Sequence, residues 1–139
     1  MPTLAASLIA ASAVIILVLG LIHLLYTFYG RKLYPRDTEL EARLRDVSLV
    51  LTRQTTMWKA WVGFNASHSF GAIFFGVVYG YLALARREVL FGSPFLLLVG
   101  LLLLLGYGFL GQRYWFRVPF RGIVLATVLY AAALIAYEA

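Results

Sequence analysis

Two histidines and an asparagine are the side chains best placed for chemistry, because each lies inside a long apolar segment. Asn65 and His68 belong to the run Met57-Trp58-Lys59-Ala60-Trp61-Val62-Gly63-Phe64-Asn65-Ala66-Ser67-His68-Ser69, and His23 lies in the first apolar stretch. At helical spacing Trp61, Asn65 and His68 share a face with Ala72, Phe75 and Tyr79. An imidazole can donate, accept, move a proton or ligate a metal, and a polar group inside a bilayer marks a functional site by default. Other chemistries lack parts. No apolar segment holds an Asp or Glu, so paired carboxylates are missing, and Ser67 or Ser69 beside His68 would have no acid to complete a hydrolytic triad. Cysteine is absent, which removes thiol nucleophiles and thiolate metal sites. Two imidazoles without a carboxylate make a poor metal set. No cofactor is expected, with haem b held by His23 and His68 as the alternative, and no enzymatic role is indicated.

The elements that must position these residues are membrane spans. The chain is 63% hydrophobic and 13% charged, with a mean hydropathy of +0.87. A water-facing domain carries roughly a quarter charged residues. A spanning helix needs about 20 apolar residues, and stretches at about 4–29, 60–85, 94–111 and 119–137 meet that need. Pro94 and Pro119 suit the first turn of a helix. The first stretch reads as a span rather than a secretory signal, since Met-Pro-Thr lacks a basic n-region and the apolar run is long. The fold class expected is all-α, an integral membrane four-helix bundle forming a single transmembrane domain over 1–139.

Charge sets the orientation. Ten of the 12 Lys and Arg residues fall in the connection after the first span (Arg31, Lys32, Arg36, Arg43, Arg45, Arg53, Lys59) or near the third turn (Arg113, Arg117, Arg121). Arg86 and Arg87 are the other two. The positive-inside rule makes loops 30–59 and 112–120 cytoplasmic and both termini external, in a cell (inner) membrane. Within the first connection an additional amphipathic helix is expected over about 38–53. Asp37 or Thr38 would cap it, Thr38 and Glu41 have capping-box spacing, and Leu40, Leu44, Val47 and Leu51 form its apolar stripe. Glu39 with Arg43 and Glu41 with Arg45 are favourable pairs. The stripe should be buried, either in the bilayer interface or under the bundle.

Depth then groups the polar residues. At a rise of about 1.5 Å per residue, Asn65 lies roughly 10 Å and His68 roughly 15 Å into the second span, and His23 lies at a similar depth in the first. Gly20 and Thr27 share the face of His23, Tyr107 shares a face of the third span with Gly100 and Gly111, and Thr127 falls at a comparable level in the fourth. Gly76 and Gly80 have the GxxxG spacing that admits a close helix neighbour. Aromatic groups at Tyr26, Phe28 and Tyr29, at Trp58 and Trp61, and at Tyr114, Trp115 and Phe116 read as an interfacial belt.

A ligand site for a lipid, quinone or other apolar molecule is therefore expected between the helices in the cytoplasmic half, lined by His23, Trp61, Asn65, His68 and Tyr107. Arg113, Arg117 and Arg121 would hold anionic lipid head groups or pair with acids of the connecting helix. The alternative role is structural or oligomer-forming, as a homo-oligomer, with a His23–Asn65 or His68–Tyr107 contact serving as interhelical glue. Membrane lipids are the expected partners, and nucleic acid is not.

The second-span run, together with Tyr114-Trp115-Phe116-Arg117 and Pro119-Phe120-Arg121-Gly122-Ile123, resembles an uncharacterised family of small four-helix bacterial integral membrane proteins. The resemblance covers nearly the whole chain, including Gly20 and His23. It implies the four-span topology and a bacterial membrane, and it carries over no catalytic residue.

Overall fold

The computed structural model describes residues 3–138. They form six helices: α1 (Leu4–Phe28), α2 (Thr38–Asp46), α3 (Met57–Ala85), α4 (Arg87–Phe91), α5 (Pro94–Tyr114) and α6 (Arg117–Glu138). The fold is all-α. Four helices are long and apolar enough to cross a membrane: α1, α3, α5 and α6, the last over Arg117–Tyr137.

Local chemistry explains where the helices start and stop. Gly30 closes α1 in the left-handed region at φ +78°, which a side chain would strain. Thr56 Oγ1 accepts from the Lys59 N–H at the start of α3. Ser93 caps α5 by accepting from the Leu96 N–H, with Pro94 in the first turn. α3 begins three residues earlier than composition suggested and α5 ends three later, because flanking polar residues extend a helix beyond its apolar run. The 86–93 turn also contains α4, too short to show a period of its own.

The expected helix over 38–53 is corrected in three respects. It ends at Asp46, and Val47 is already extended (φ −79°, ψ 129°). Beyond it, Ser48 pairs with Thr56 in one antiparallel bridge, and the Met57 N–H donates to Val47 O at 2.8 Å. The segment Val47-Ser48-Leu49-Val50-Leu51-Thr52 is rich in β-branched residues, which resist helix and favour extended backbone. Of the two expected caps it is Asp37 that serves, its Oδ1 accepting from the Glu39 and Leu40 N–H groups, and the Thr38–Glu41 box does not form. Finally, no residue of α2 is buried.

The chain divides into two compact units, one of Met1–Leu19 with Ala72–Ala139 and one of Gly20–Gly71. The first holds the main core. Ile9, Ile16, Phe75, Leu90, Leu104 and Tyr130 are its largest fully buried apolar side chains, filled in by Ala6, Ala13, Ala83, Ala126 and Ala133. In lipid, apolar surface gains little by leaving the solvent, so helices hold together by close packing. Small residues make that approach possible. A Cβ on Gly76 would lie 2.5 Å from Leu17 Cβ and 2.8 Å from Ala13 O, so α1 is the neighbour that the GxxxG spacing admits. Two tyrosines supply polar fasteners: the Tyr79 hydroxyl donates to Leu96 O at 2.7 Å and the Tyr130 hydroxyl to Leu97 O at 3.1 Å.

In the second unit α2 is held by a closed ring of side chains. Glu41 accepts from both Arg31 and Arg45. The Arg45 guanidinium lies 4.6 Å over the Trp58 ring, Trp58 packs 4.6 Å from Tyr34, and Arg31 lies 4.7 Å over Tyr34. Each contact is modest alone, but together they tie the chain after α1 to α2 and to the start of α3. Trp58, expected in the lipid-facing belt, is instead buried. The Arg45 hydrogen bond, opposed by burial and reinforced by Arg31, holds the Glu41 carboxyl below its usual range. Its stabilising effect is therefore complete above the unfolded-state pKa of 4.5 and is lost as pH falls through the lower folded value. Acidification should loosen 30–59 first, seen as faster amide exchange there than in α5. Glu41→Gln should show the fast exchange already at neutral pH and abolish the acid transition.

Candidate functional site

The Gly20–Gly71 unit brings together four of the five residues expected to form a site: His23, Trp61, Asn65 and His68. Asn65 is the organising residue. Its Nδ2 donates to Trp61 O at 2.8 Å, one turn back on α3, which turns Oδ1 toward α1. There Oδ1 lies 3.0 Å from His23 Nε2. Since an amide oxygen only accepts, Nε2 must carry the proton in this contact. The neutral form of His23 is then the Nε2–H tautomer, with a lone pair on Nδ1.

Hydroxyls keep the local backbone satisfied. Thr27 Oγ1 donates to His23 O at 2.8 Å, and Ser69 Oγ donates to Asn65 O at 3.0 Å. His68 meets His23 edge to face, with ring centres 5.1 Å apart and planes at 86°. His23, Asn65 and His68 are half-buried rather than sealed.

A shallow crevice, too narrow to hold a water molecule, lies at Asn65 and is lined by Thr27, Leu33, Tyr34, Trp58, Trp61 and Val62, with neither His23 nor His68 among its walls. Trp61 forms one wall, and its indole N–H donates to Leu33 O at 3.0 Å. Trp61 is thus fixed at its polar edge while the residue remains 49% exposed. The walls contributed by Leu33 and Tyr34 were not legible in the sequence. The pairing of residues 33 and 61 crosses a connection with no periodicity, and only the Trp58/Trp61 spacing pointed to this place.

Tyr107 belongs to the other unit, where its ring lies 6.1 Å from Trp115. Thr127, in the same unit, donates to Ile123 O within its own helix. Arg113, Arg117 and Arg121 are exposed, and Glu41, one of the acids they could have paired with, is engaged by Arg31 and Arg45.

The arrangement suits hydrogen bonding better than metal ligation. A haem iron held by both imidazoles needs their ligating nitrogens on opposite sides of one iron. His23 Nε2 faces Asn65, and the rings stand edge to face. With Nε2 engaged by Asn65, only Nδ1 of His23 is left to ligate a metal. No cluster of three or more His, Cys, Asp or Glu able to hold a metal ion occurs among the described residues. Comparison with known proteins adds no relative: no protein-family model, no curated protein and no solved structure matches this chain.

Proposed function

We propose that this is a multi-pass protein of a bacterial cell (inner) membrane that binds a lipid-soluble molecule with a hydrogen-bonding head group, such as a quinone or a phospholipid, at Asn65, His23 and His68. Ten of 12 basic residues flank one end of the spans, so the positive-inside rule puts the 30–59 and 112–120 connections in the cytoplasm.

The observation that carries the reading is the fixed Asn65 amide beside the crevice. One Nδ2 proton is used by Trp61 O, and the second is available to a head-group carbonyl. Asn65 supplies the polar side of the crevice, with His23 bonded behind it, and the Trp58 and Trp61 indoles the apolar side, the usual division of a ligand pocket. Whole-ligand pockets run roughly 300–1,000 Å³. The crevice at Asn65 falls far short of that and is too narrow to hold even a water molecule, so its walls must part to admit a head group, and the tail would run in lipid beside exposed residues such as Phe64. The second reading, interhelical glue, draws on the His23–Asn65 bond itself, which joins α1 to α3. Such bonds contribute about 0.6 kcal/mol on average.

Tryptophan quenching separates the two. In nanodiscs, with Trp115→Phe so that only Trp58 and Trp61 report, a decyl-tailed benzoquinone should quench saturably. Asn65→Leu and His68→Leu should each weaken binding about tenfold, the equivalent of one good hydrogen bond. Native mass spectrometry of the same sample tells a retained phospholipid from a retained quinone by mass. No saturable quenching and no retained molecule, with the two variants lowering only the melting temperature, would leave glue as the role.

A further inference from the structure

Most of the apolar stripe of the 38–51 segment is exposed, with Leu44 half-buried. Around α2, Glu41 and Arg45 lie about 100° from the Leu40–Leu44 line, at about 100° per residue. The Glu41–Arg31–Tyr34–Trp58–Arg45 ring therefore commits the polar side of α2 to the protein. Leu40 and Val47 are left exposed. The loop that follows continues the patch, with Val50 fully exposed and Leu51 90% exposed. Adjacent large apolar side chains held outward in this way need a cover.

Three features say what covers them. The loop is pinned at its base to the first residue of α3 by the Met57 N–H to Val47 O bond, so it emerges where a membrane-crossing helix begins. Exposed Arg43, Arg53 and Lys59 flank the patch along the chain, and cations near exposed apolar residues match anionic head groups above acyl chains. The Ser48–Thr56 bridge closes the loop, so Val50 and Leu51 project from a defined turn.

We infer that the 47–53 loop is a membrane wedge: Val50 and Leu51 insert into the head-group region of the same anionic bilayer the helices cross, with Arg43 and Arg53 on lipid phosphates. The wedge rests on the membrane-spanning part of the proposed function and is independent of what occupies the crevice.

The absence of cysteine makes the test direct. Single Leu51→Cys, Glu39→Cys and Phe74→Cys proteins carry one environment-sensitive fluorophore each and are reconstituted in phosphatidylcholine–phosphatidylglycerol vesicles. The label at 51 should be quenched by brominated lipid and be several-fold less sensitive to aqueous iodide than the label at 39. In phosphatidylcholine alone its shielding should fall. A label at 51 as iodide-sensitive as that at 39, or shielded from iodide and brominated lipid alike as it would be under a second copy of the chain, overturns the wedge. Position 74, on the exposed face of α3, tests the premise. If it too is quenched by iodide and not by brominated lipid, the spanning reading fails with the wedge. If it is quenched by lipid while 51 is not, the wedge alone fails.

Discussion

Gly76→Ala should destabilise the protein by about 2–3 kcal/mol, a large effect for one methyl group. The added Cβ would meet Leu17 Cβ at 2.5 Å, Ala13 O at 2.8 Å and Leu17 Cα at 2.9 Å. Two of these belong to the α1 backbone, so no rotamer change relieves them, and α1 and α3 must move apart. In lipid the loss is not offset by solvent exclusion, because packing itself is what holds helices together. Gly63 and Gly106 provide the contrast. Nothing lies within 4 Å of a Cβ at either position, so Gly63→Ala and Gly106→Ala should be neutral or stabilising, by up to about 1 kcal/mol from helix propensity. Unfolding in mixed micelles with increasing dodecyl sulfate measures all three. A Gly76→Ala midpoint equal to that of Gly106→Ala would disprove the close approach.

Tyr130 should show the second large effect. It is fully buried, with Tyr79 at 6.1 Å and Phe75 at 6.4 Å between ring centres. Tyr130→Ala removes those dispersion contacts and leaves a cavity, a loss of about 3–5 kcal/mol for a buried aromatic. Tyr130→Phe keeps the ring and loses only the bond to Leu97 O, about 1 kcal/mol. That carbonyl also serves the helical ladder of α5, so no acceptor is stranded. The same dodecyl sulfate titration distinguishes the two. Equal losses for Ala and Phe would mean that the hydroxyl, not the ring, carries the stabilisation.

The sequence made the architecture legible because lipid imposes length and composition on anything that crosses it. The stretches near 4–29, 60–85, 94–111 and 119–137 correspond to α1, α3, α5 and α6 with end errors of a few residues. Pro94 at the start of α5 and a close helix neighbour at Gly76 were readable for equally local reasons, a missing N–H and a missing Cβ, whereas the identity of that neighbour, α1, was not. The face holding Asn65, His68, Ala72, Phe75 and Tyr79 followed from helical period alone, and the last three are buried as that period implies.

What stayed hidden depended on partners far along the chain. Period could not foresee that Glu41 would serve Arg31 as well as Arg45, or that Trp58 would turn from the lipid belt into a ring contact with Tyr34. The overlong helix at 38–53 has a more specific cause. Val47, Leu49 and Leu51 satisfy an alternating pattern as well as Leu40, Leu44, Val47 and Leu51 satisfy a helical one, and β-branched residues decided between them. In the site, the Asn65–His23 pairing could be drawn from depth on two antiparallel spans, whereas the Leu33 and Tyr34 walls lie in a connection that depth does not locate.

The ring through Arg31, Tyr34, Glu41, Arg45 and Trp58 also bears on how such a chain can drift. Each member touches at least two others, so a change at one alters the setting of the rest. The five positions are then one heritable character written in three separate places, and lineages can rewrite it only by changing several of them together.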